Sequence, residues 1–500
     1  MNWRKEVALT MTEEKKQTAP QEMSAEEVMK KYDKESDKRN PVGAWHYIIS
    51  GICILFACFQ LYTAIFGVLD AHLQRTIHLM FGLTLIFLLY PGRKSWSRSS
   101  MNPIDVICAL LGIGTTGYLL LNYQELVLRA GLNTQTDIIV GIIGVLMVFE
   151  ATRRTVGWPM LTVALIFVAY AFLGPYMPGI LAHRGVGFDE LVSHLFFTTE
   201  GIFGVPMGVS STFIYLFILF GAYLDATGLG KFFIDMANAL AGWAIGGPAK
   251  VAVLSSGLMG TVSGSSVANV AGTGSFTIPM MKKLGYRPSF AGAVEAAAST
   301  GGQLMPPVMG AAAFLMAEFV GVPYIEVVKA AVIPALLYYT GIWLSVHYEA
   351  KKYGLKGTPR DQLPKFGPLL REKGHLAVPL IVIVYLLVSG YTPMRAALYA
   401  IGLTIVCACM RKNTRITFAQ FINGLVEGSQ SVLGVLIACA SAGIIIGVVT
   451  KTGVGLKLAT ALLDLAQGKM IPAMFFTMIT SLILGMGVPT TANYVITSTI

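Results

Sequence analysis

The stretch TVSGSSVANVAGTGSFTIP, from Thr261 to Pro279, holds a dense set of side chains that could do chemistry. Its serines, threonines and asparagine supply hydroxyl and amide oxygens, the ligand type that hard cations such as Na⁺ prefer. Residues this rich in Gly, Ser, Thr and Asn normally mark exposed loops. Here, however, the flanks AKVAVLSSGLMG and PSFAGAVEAAAS are apolar. The pattern therefore predicts a polar, irregular segment inside an apolar region.

The composition predicts that lipid surrounds this region. Of the 500 residues, 54% are hydrophobic and 13% are charged, and the mean hydropathy is +0.65. Soluble domains carry roughly 25% charged residues. The fold class predicted is therefore an all-α polytopic membrane protein. The chain shows no basic patch interleaved with aromatic residues, which argues against nucleic acid as a partner, and the six cysteines lie in apolar spans, as packing residues do.

Apolar segments long enough to cross a ~30 Å hydrocarbon core follow a polar tail, 1–42, that we expect to be cytoplasmic and disordered. The first six predicted spans are 45–66, 75–91, 104–122, 136–150, 159–180 and 200–224. Later apolar stretches, several interrupted by Gly, Pro, Ser or Thr, lie near 250–280, 289–320, 324–347, 376–391, 395–410, 431–450 and 470–500.

The positions of Lys and Arg predict the orientation, because these residues favour cytoplasmic loops. They occur in the tail, after the second predicted span and after the fourth, which predicts a cytoplasmic N-terminus. Lys250 precedes the opening stretch, and Lys282, Lys283 and Arg287 follow it. Both ends of this segment, 249–283, should therefore face the cytoplasm, which makes it a re-entrant hairpin rather than a span.

A second segment, GMGVPTTANYVITS from Gly485 to Ser498, repeats this pattern. When Asn493 is aligned on Asn269, an offset of about 224 residues, similar small and polar residues coincide. The loop charges place the second hairpin, from residue 470, on the opposite, periplasmic side. Two similar units of opposite orientation indicate an inverted-topology repeat, as in many secondary transporters.

Irregular backbone at membrane depth must be buried in protein or line a wet cavity, because lipid cannot satisfy its N–H and C=O groups. Such hairpins can bind cations through freed carbonyls and hydroxyls, and their helix N-termini can attract an anion. The alternative is that the small residues only help helices to pack. The occurrence of two matching hairpins favours a binding site.

The segment AAASTGGQLMPPVMGAAAF, which begins at Ala296, predicts a broken helix. Paired glycines and paired prolines interrupt it, since proline removes a donor and clashes with the preceding turn. Its polar residues are Ser299, Thr300 and Gln303. A simple kink is the alternative to a break that lines a site.

Glu295 lies about two turns before this break, inside an apolar run. An acid at membrane depth is costly and usually functional. A proton carrier or a cation ligand is one interpretation, and a carboxylate that ties helices together is the other. Glu318 and Asp225 lie near predicted span ends, so we expect both to be interfacial.

These motifs resemble a known family. The segment SGSSVANVAGTGSFTIPMMKKLGYRPSFAGAVEAAASTGGQLMPPVMGAAAFLMAEFVGVPY, together with GMGVPTTANY, is similar to the large membrane permease of tripartite ATP-independent periplasmic (TRAP) transporters, especially those that pair with TAXI-class binding proteins. The first four spans resemble the small membrane subunit, fused here to the large one. The resemblance implies an elevator-type transporter in the inner membrane of a bacterium or archaeon. It also implies a periplasmic substrate-binding protein that delivers a small organic anion, such as a dicarboxylate or an amino-acid-like acid, and a Na⁺ or H⁺ gradient that drives uptake. No other cofactor is expected.

The resemblance also implies the site residues. Those expected to bind substrate are Ser265, Ser266, Gly302, Gln303, Pro306, Thr491 and Asn493. Those expected to bind Na⁺ are Ser263, Gly264, Asn269, Thr273, Gly487 and Thr490. The position of Glu295 in an apolar run, rather than the resemblance, makes it the candidate for proton coupling.

The resemblance also predicts how the chain is divided into domains. Residues 43–155 form the four-helix small-subunit-like domain, 156–348 the first half of the large subunit, 349–375 a cytoplasmic connecting loop and 376–500 the second half. Family members continue beyond the second hairpin tip into another broken helix. We therefore expect the second half, which here stops at Ile500, to be incomplete.

Three other function classes remain open. A stand-alone ion-coupled transporter would share the hairpins without a binding protein. An intramembrane serine protease would use Ser263 but lacks a clear histidine partner, since His347 lies near a span end. A metalloenzyme would need clustered ligands, and DELVSH, Asp189 to His194, lacks the HExxH spacing. Broken helices with polar interruptions also suit occlusion better than a passive channel, and no phosphate-binding loop supports direct use of ATP.

Overall fold

The chain folds into α-helices. The computed structural model describes residues 38–93, 95–129, 131–411, 413–485 and 490–499, and no strand occurs among them. In this described part, eight helical segments are long and apolar enough to cross a membrane. The predicted all-α polytopic membrane fold is confirmed. The predicted disordered tail falls, up to residue 37, outside the described residues.

The first part of the chain forms four long helices and one short one. They are α1 (Ala44–Phe66), α2 (Ala71–Leu89), α3 (Pro103–Leu121), α4 (Tyr123–Leu128) and α5 (Gln135–Thr155). Local sequence explains where they begin: the Asn102 side chain accepts the N–H of Ile104 before α3, and Thr134 and Asp137 form a capping box at the start of α5. The long helices agree closely with the first four predicted spans.

The next helices are shorter. They are α6 (Trp158–Leu173), α7 (Phe188–Phe197), α8 (Val205–Val209), α9 (Tyr215–Ala226) and α10 (Leu229–Ala241). A π-helical turn, Ser210–Ile214, joins α8 to α9, so that Val205–Ala226 is one apolar segment long enough to span. π-helical turns often occur at functional sites.

A hairpin and the helices packed on it follow. They are α11 (Gly247–Ser263), α12 (Ser266–Lys283), α13 (Pro288–Gly301), α14 (Ala311–Val320) and α15 (Tyr324–Lys352). The bases of α11 and α12 share a separate core with α13 and α15, which is rich in alanines such as Ala252 and Ala298. Small side chains allow helices to approach closely, so this hairpin unit is compact.

The segment predicted as a connecting loop is partly helical. Helix α15 extends into it, and α16 (Phe366–Lys373) lies within it. Two apolar helices follow, α17 (Val378–Val388) and α18 (Pro393–Cys409).

Helix α20 lies at the centre of the molecule. The last helices are α19 (Phe418–Ser431), α20 (Leu433–Thr452), α21 (Val454–Leu465), α22 (Met470–Gly485) and α23 (Thr490–Thr499). In the segment α19–α20, 89% of the most apolar window is buried, so protein rather than lipid surrounds it. Helix α20 packs against α2, α5, α6, α7, α8 and α23.

Buried polar contacts attach α1 and α2 to this central part. Gln60 Nε2 lies 2.6 Å from His78 Nδ1, and His78 Nε2 lies 3.0 Å from Ser210 Oγ in the π-helical turn. On α19, Ser429 Oγ donates to the Cys53 carbonyl at 2.9 Å. Because buried polar groups are costly to separate, these contacts hold α1 and α2 against α19 and the π-helical turn that leads into α9. We refer to these helices, together with the adjoining α20, as the rigid body around α20.

Candidate functional site

The tip of the first hairpin is a two-residue turn. Gly264 has φ 57°, in the left-handed region, and Ser265 begins α12 by accepting the Ala268 N–H at 3.3 Å. A Cβ atom at Gly264 would collide with the carbonyl oxygen of Met309. Glycine is therefore required here both by the turn and by the close approach of a second segment.

That second segment is the interruption between α13 and α14. It contains Gly302 and Gln303, whose carbonyl accepts the Gly310 N–H at 2.9 Å. The Tyr324 hydroxyl donates to the Val308 carbonyl at 2.5 Å and also lies 3.0 Å from the Pro307 carbonyl. Freed carbonyls of the interruption are thus satisfied by protein groups, as irregular backbone at membrane depth requires.

The hairpin tip and the interruption contact each other directly. The backbones of Gly260 and Gly302 approach so closely that a Cβ on either would collide with the other. Gln303 Nε2 donates to Ser266 Oγ at 3.3 Å. The structure therefore brings together the predicted substrate residues of the first half, while Pro306 lies in the same interruption.

Behind the tip, Glu295 is fully buried and accepts from four hydroxyl groups. Its Oε1 accepts from Ser256 at 2.9 Å, Thr273 at 2.5 Å and Ser299 at 3.1 Å, and its Oε2 accepts from Thr277. None of these donors is a cation, and no salt bridge involves Glu295 among the described residues. Such a carboxylate is suited either to hold a proton or to bind a monovalent cation.

Asn269 connects the two arms of the hairpin. It is fully buried, and its Nδ2 donates to the Ser256 carbonyl at 2.7 Å. The Thr273 hydroxyl lies 2.8 Å from the Asn269 carbonyl, since a helical threonine usually bonds the carbonyl one turn earlier. This hydroxyl is therefore shared between the Asn269 carbonyl and the Glu295 carboxylate. The predicted cation residues Asn269 and Thr273 therefore belong to the cluster around Glu295.

The second hairpin repeats part of this arrangement. Asn493 Nδ2 donates to the Ser481 carbonyl at 3.3 Å, and Thr497 Oγ1 donates to the Asn493 carbonyl at 2.9 Å. Asn493 Oδ1 is buried and has no hydrogen-bond partner among the described residues. Thr491 is buried and Thr490 is exposed, whereas the predicted residue Gly487 lies outside the described residues.

A cavity of about 250 Å³ lies beside the first hairpin tip. The tip and the start of α12 form one wall, the end of the interruption and α14 another, and α9, α19 and α20 the opposite side. Its polar and charged lining residues are Lys38, Tyr90, Asp225, Ser263, Ser265, Gln430 and Ser431. The cavity therefore separates the hairpin unit from the rigid body around α20.

Sequence reasoning did not identify two of these lining residues as part of the site. Lys38 reaches the cavity from the segment before α1, and Asp225 lies near the end of α9, where it was interpreted as interfacial. A lysine in a polar tail carries no local signal of such a role. Of the predicted site residues that the structure describes, only Ser263, Gly264 and Ser265 line this cavity.

The geometry does not support the enzyme alternatives. His347 Nδ1 lies 3.2 Å from Lys250 Nζ, at the base of the hairpin. Ser263 follows Lys250 by 13 positions in the same helix, a rise of roughly 20 Å, so Ser263 and His347 are not a nucleophile–base pair. In the described part of the chain, no group of three or more metal-ligating side chains comes together.

Comparison with known proteins agrees with this architecture. Residues 143–500 match the family described as the tripartite ATP-independent periplasmic transporter, DctM component. The isethionate TRAP transporter permease protein DctMQ of Oleidesulfovibrio alaskensis is 29% identical over 260 residues, which are 51% of this chain and 40% of that protein. The C4-dicarboxylate TRAP transporter large permease protein DctM of Pseudomonas aeruginosa is 32% identical over 188 residues, 37% of this chain and 44% of that protein.

A third relative, the sialic acid TRAP transporter large permease protein SiaM of Vibrio cholerae, is 26% identical over 248 residues, 49% of this chain and 54% of that protein. The chain spans about half the length of the relatives it matches. The family match covers both hairpins, the interruption between α13 and α14, and the central helix α20. The chain therefore belongs to the family of the DctM component of tripartite ATP-independent periplasmic transporters.

Proposed function

We propose that this chain is the membrane permease for secondary active uptake of a small organic anion. The observation that carries the proposal is the cavity between the hairpin tip, Ser263–Ser265, and the rigid body around α20. Helix α12 (Ser266–Lys283) begins at this cavity, and helix N-termini favour anions. The cavity volume of about 250 Å³ suits a small solute.

A Na⁺ or H⁺ gradient drives this uptake. The hairpin unit provides both kinds of site: neutral oxygens at the tip, including Ser263 and Asn269, for Na⁺, and the buried carboxylate of Glu295 for a proton. A bound cation lowers the electrostatic cost of an anion beside it. The loaded hairpin unit, now closer to neutral, moves relative to the rigid body in the manner of an elevator.

The arrangement of the chain supports a fused permease. The family match begins inside α5, so α1–α4 lie outside it. We assign residues 43–155 to a small-subunit-like domain, 156–348 and 376–500 to the two halves of the large subunit, and 349–375 to their cytoplasmic connection. The N-terminus is cytoplasmic in this proposal, and the protein is a multi-pass protein of the inner membrane.

The partner is a periplasmic substrate-binding protein of the TAXI type, and the substrate is a dicarboxylate or an amino-acid-like acid. Relatives are named for isethionate, C4-dicarboxylate and sialic acid, which are all organic acids. An organic anion is therefore the substrate class that the relatives and the cavity both support.

The test is uptake by the full chain in proteoliposomes. Labelled succinate, L-malate, L-glutamate and 2-oxoglutarate are offered with an inward Na⁺ gradient, an inward H⁺ gradient or neither, with and without the binding protein purified by capture on the immobilised permease. We expect uptake of at least one acid that requires both a gradient and the binding protein. Gradient-driven uptake without the binding protein would favour a stand-alone transporter, and gradient-independent flux would contradict secondary active transport.

A further inference from the structure

We propose that a groove beside α16 binds the headgroup of an anionic phospholipid at the boundary between membrane and water. The groove has a volume of about 710 Å³, and all of its lining residues are exposed. The two arginines that line it outnumber the one glutamate, so the groove carries a net positive charge. This lipid site is separate from the transport cavity and does not depend on the proposed function. The lining residues, which we call the arginine groove, are Gly367, Pro368, Arg371, Glu372 and Arg411.

The arginine groove lies at one end of a pair of apolar helices. Arg371 lies on α16, shortly before α17 begins at Val378, and Arg411 follows α18, which ends at Cys409. Helices α17 and α18 pack against each other and are joined by a short turn, so they are antiparallel and both arginines lie at the same end of the pair. Lipid phosphates occupy this level, just outside the hydrocarbon core, where basic side chains attract anionic lipids.

Helix α16 also presents apolar side chains that acyl chains can cover. Phe366 and Leu370, one turn apart, are 42% and 48% exposed, whereas Leu369 packs against the core of the protein. The exposed side chains of Lys365 and Arg371 directly adjoin this apolar pair in the sequence. Helices that combine exposed apolar and basic side chains lie in the membrane interface, with the apolar side towards the acyl chains and the basic side chains among the headgroups.

Contacts with the rest of the protein hold the arginine groove in place. Arg411 Nη1 donates to the Glu372 carbonyl at 2.7 Å, and Lys373 Nζ lies 3.5 Å from Asp235 Oδ2 on α10. A guanidinium has five N–H donors, so the bond to Glu372 leaves Arg411 able to donate to a phosphate as well. Guanidinium groups bind phosphate oxygens in pairs, which gives them both strength and orientation.

Glu372 makes the proposal more specific, because it lines the same groove with the opposite charge. A carboxylate repels a phosphate, so removal of this charge should strengthen the binding of a lipid that lies in the groove. The competing interpretation is that the arginines only orient the chain, since Lys and Arg favour cytoplasmic loops. It predicts that lipid affinity does not change when a residue of the arginine groove is altered.

The experiment is native mass spectrometry of the full chain in detergent, which measures the affinity for dioleoyl phosphatidylglycerol and for dioleoyl phosphatidylcholine, whose choline group offsets the phosphate charge. We expect the unaltered chain to bind phosphatidylglycerol about tenfold more tightly, and Arg371→Gln/Arg411→Gln to lose this preference with its charge-assisted hydrogen bonds. Glu372→Gln should bind phosphatidylglycerol several-fold more tightly. Arg395→Gln alters an exposed arginine at the other end of α18 and is the matched control, which should behave like the unaltered chain.

Inorganic phosphate distinguishes a lipid from a soluble anion. It should not displace phosphatidylglycerol at equal concentration, because it lacks the acyl chains that contact Phe366 and Leu370.

Several results would overturn the inference. Equal affinity of the unaltered chain for the two lipids would show that the charge of the headgroup is not recognised. An unchanged preference in Arg371→Gln/Arg411→Gln, an unchanged affinity in Glu372→Gln or an equal loss in Arg395→Gln would place the lipid outside the arginine groove. Displacement of phosphatidylglycerol by inorganic phosphate at equal concentration would make the groove a site for a soluble anion.

Discussion

The two hairpins share a hydrogen bond that links their arms and differ in the groups that surround this bond. In each, an asparagine on the second arm donates to a carbonyl of the first arm, Asn269 to Ser256 at 2.7 Å and Asn493 to Ser481 at 3.3 Å. In each, a threonine one turn later binds the asparagine carbonyl. At the first hairpin, the carboxylate of Glu295, contributed by the following helix α13, also accepts from this threonine.

This difference separates two roles. The link between the arms belongs to the repeat and holds each hairpin together. The carboxylate of Glu295, contributed by α13, lies against the first hairpin and accepts from hydroxyl groups of both of its arms. At the second hairpin, the buried Asn493 Oδ1 lacks a partner among the described residues, and an unsatisfied buried oxygen is a natural cation ligand. We propose that the coupling cation binds at the cluster around Glu295 in the first hairpin and at the Asn493 amide oxygen in the second.

The largest expected effect is that of Glu295→Gln. The amide can neither carry a proton nor offer a negative charge to a bound cation. Gradient-driven uptake should therefore fall about 100-fold, a factor near the upper end of the usual coupling between two binding sites. Uptake in proteoliposomes under Na⁺ and H⁺ gradients measures this. Glu326→Gln, on the exposed start of α15, is the matched control and should retain full uptake. Normal coupling in Glu295→Gln would reduce the carboxylate to a structural tie between helices.

An intermediate effect distinguishes the two asparagines. Asn269→Ala removes a short, fully buried hydrogen bond and should lower the free energy of unfolding by about 1–3 kcal/mol. Asn493→Ala removes a longer, half-buried one and should cost about 0.5–1.5 kcal/mol. Both should weaken cation-dependent transport about tenfold, because each removes an amide oxygen near a hairpin tip. Thermal denaturation and the Na⁺ dependence of uptake measure the two effects, and unchanged Na⁺ and H⁺ dependence in both variants would refute the site assignment.

The smallest effect is expected at Thr490. Thr490→Val keeps the shape of an exposed side chain and should change stability by less than about 0.5 kcal/mol. Loss of one hydroxyl ligand should weaken apparent Na⁺ affinity several-fold, that is by about 1 kcal/mol. Thr460→Val, another exposed threonine, is the control. An effect on stability larger than that on Na⁺ affinity would place Thr490 in packing rather than in a cation site.

Long apolar helices were predictable from the sequence, because a single signal, the length of the apolar run, defines them. The predicted span 104–122 corresponds to Pro103–Leu121, and the helix interruptions predicted from glycines and prolines occur at Gly264 and after Gly301. Short helices such as Phe188–Phe197 and Leu229–Ala241 were not predicted, since they are too short to span and lie between stronger signals.

The candidate site was predictable only where its residues are close in sequence. Ser263 to Asn269 form one hairpin tip, and Glu295 stands out as an acid in an apolar run. Lys38 was not predictable in this way, because its partner carbonyl at Gln430 is 392 positions away. Its place beside the cavity depends on the packing of the first helices against α19, which no local pattern encodes.

The most direct test of the central claim, that both hairpins bind the coupling cation, is hydrogen–deuterium exchange of the full chain in nanodiscs. Exchange is compared in NaCl at pH 8, in choline chloride at pH 8 and in choline chloride at pH 6, after correction for intrinsic rates. Peptides spanning Ser256–Thr277 and Ser481–Thr497 report on the hairpins, and peptides from α20 serve as the internal reference. We predict slower exchange in the hairpin peptides with Na⁺ or at low pH, while α20 is unchanged. If the exchange of the hairpin peptides is the same under all three conditions, the account is contradicted.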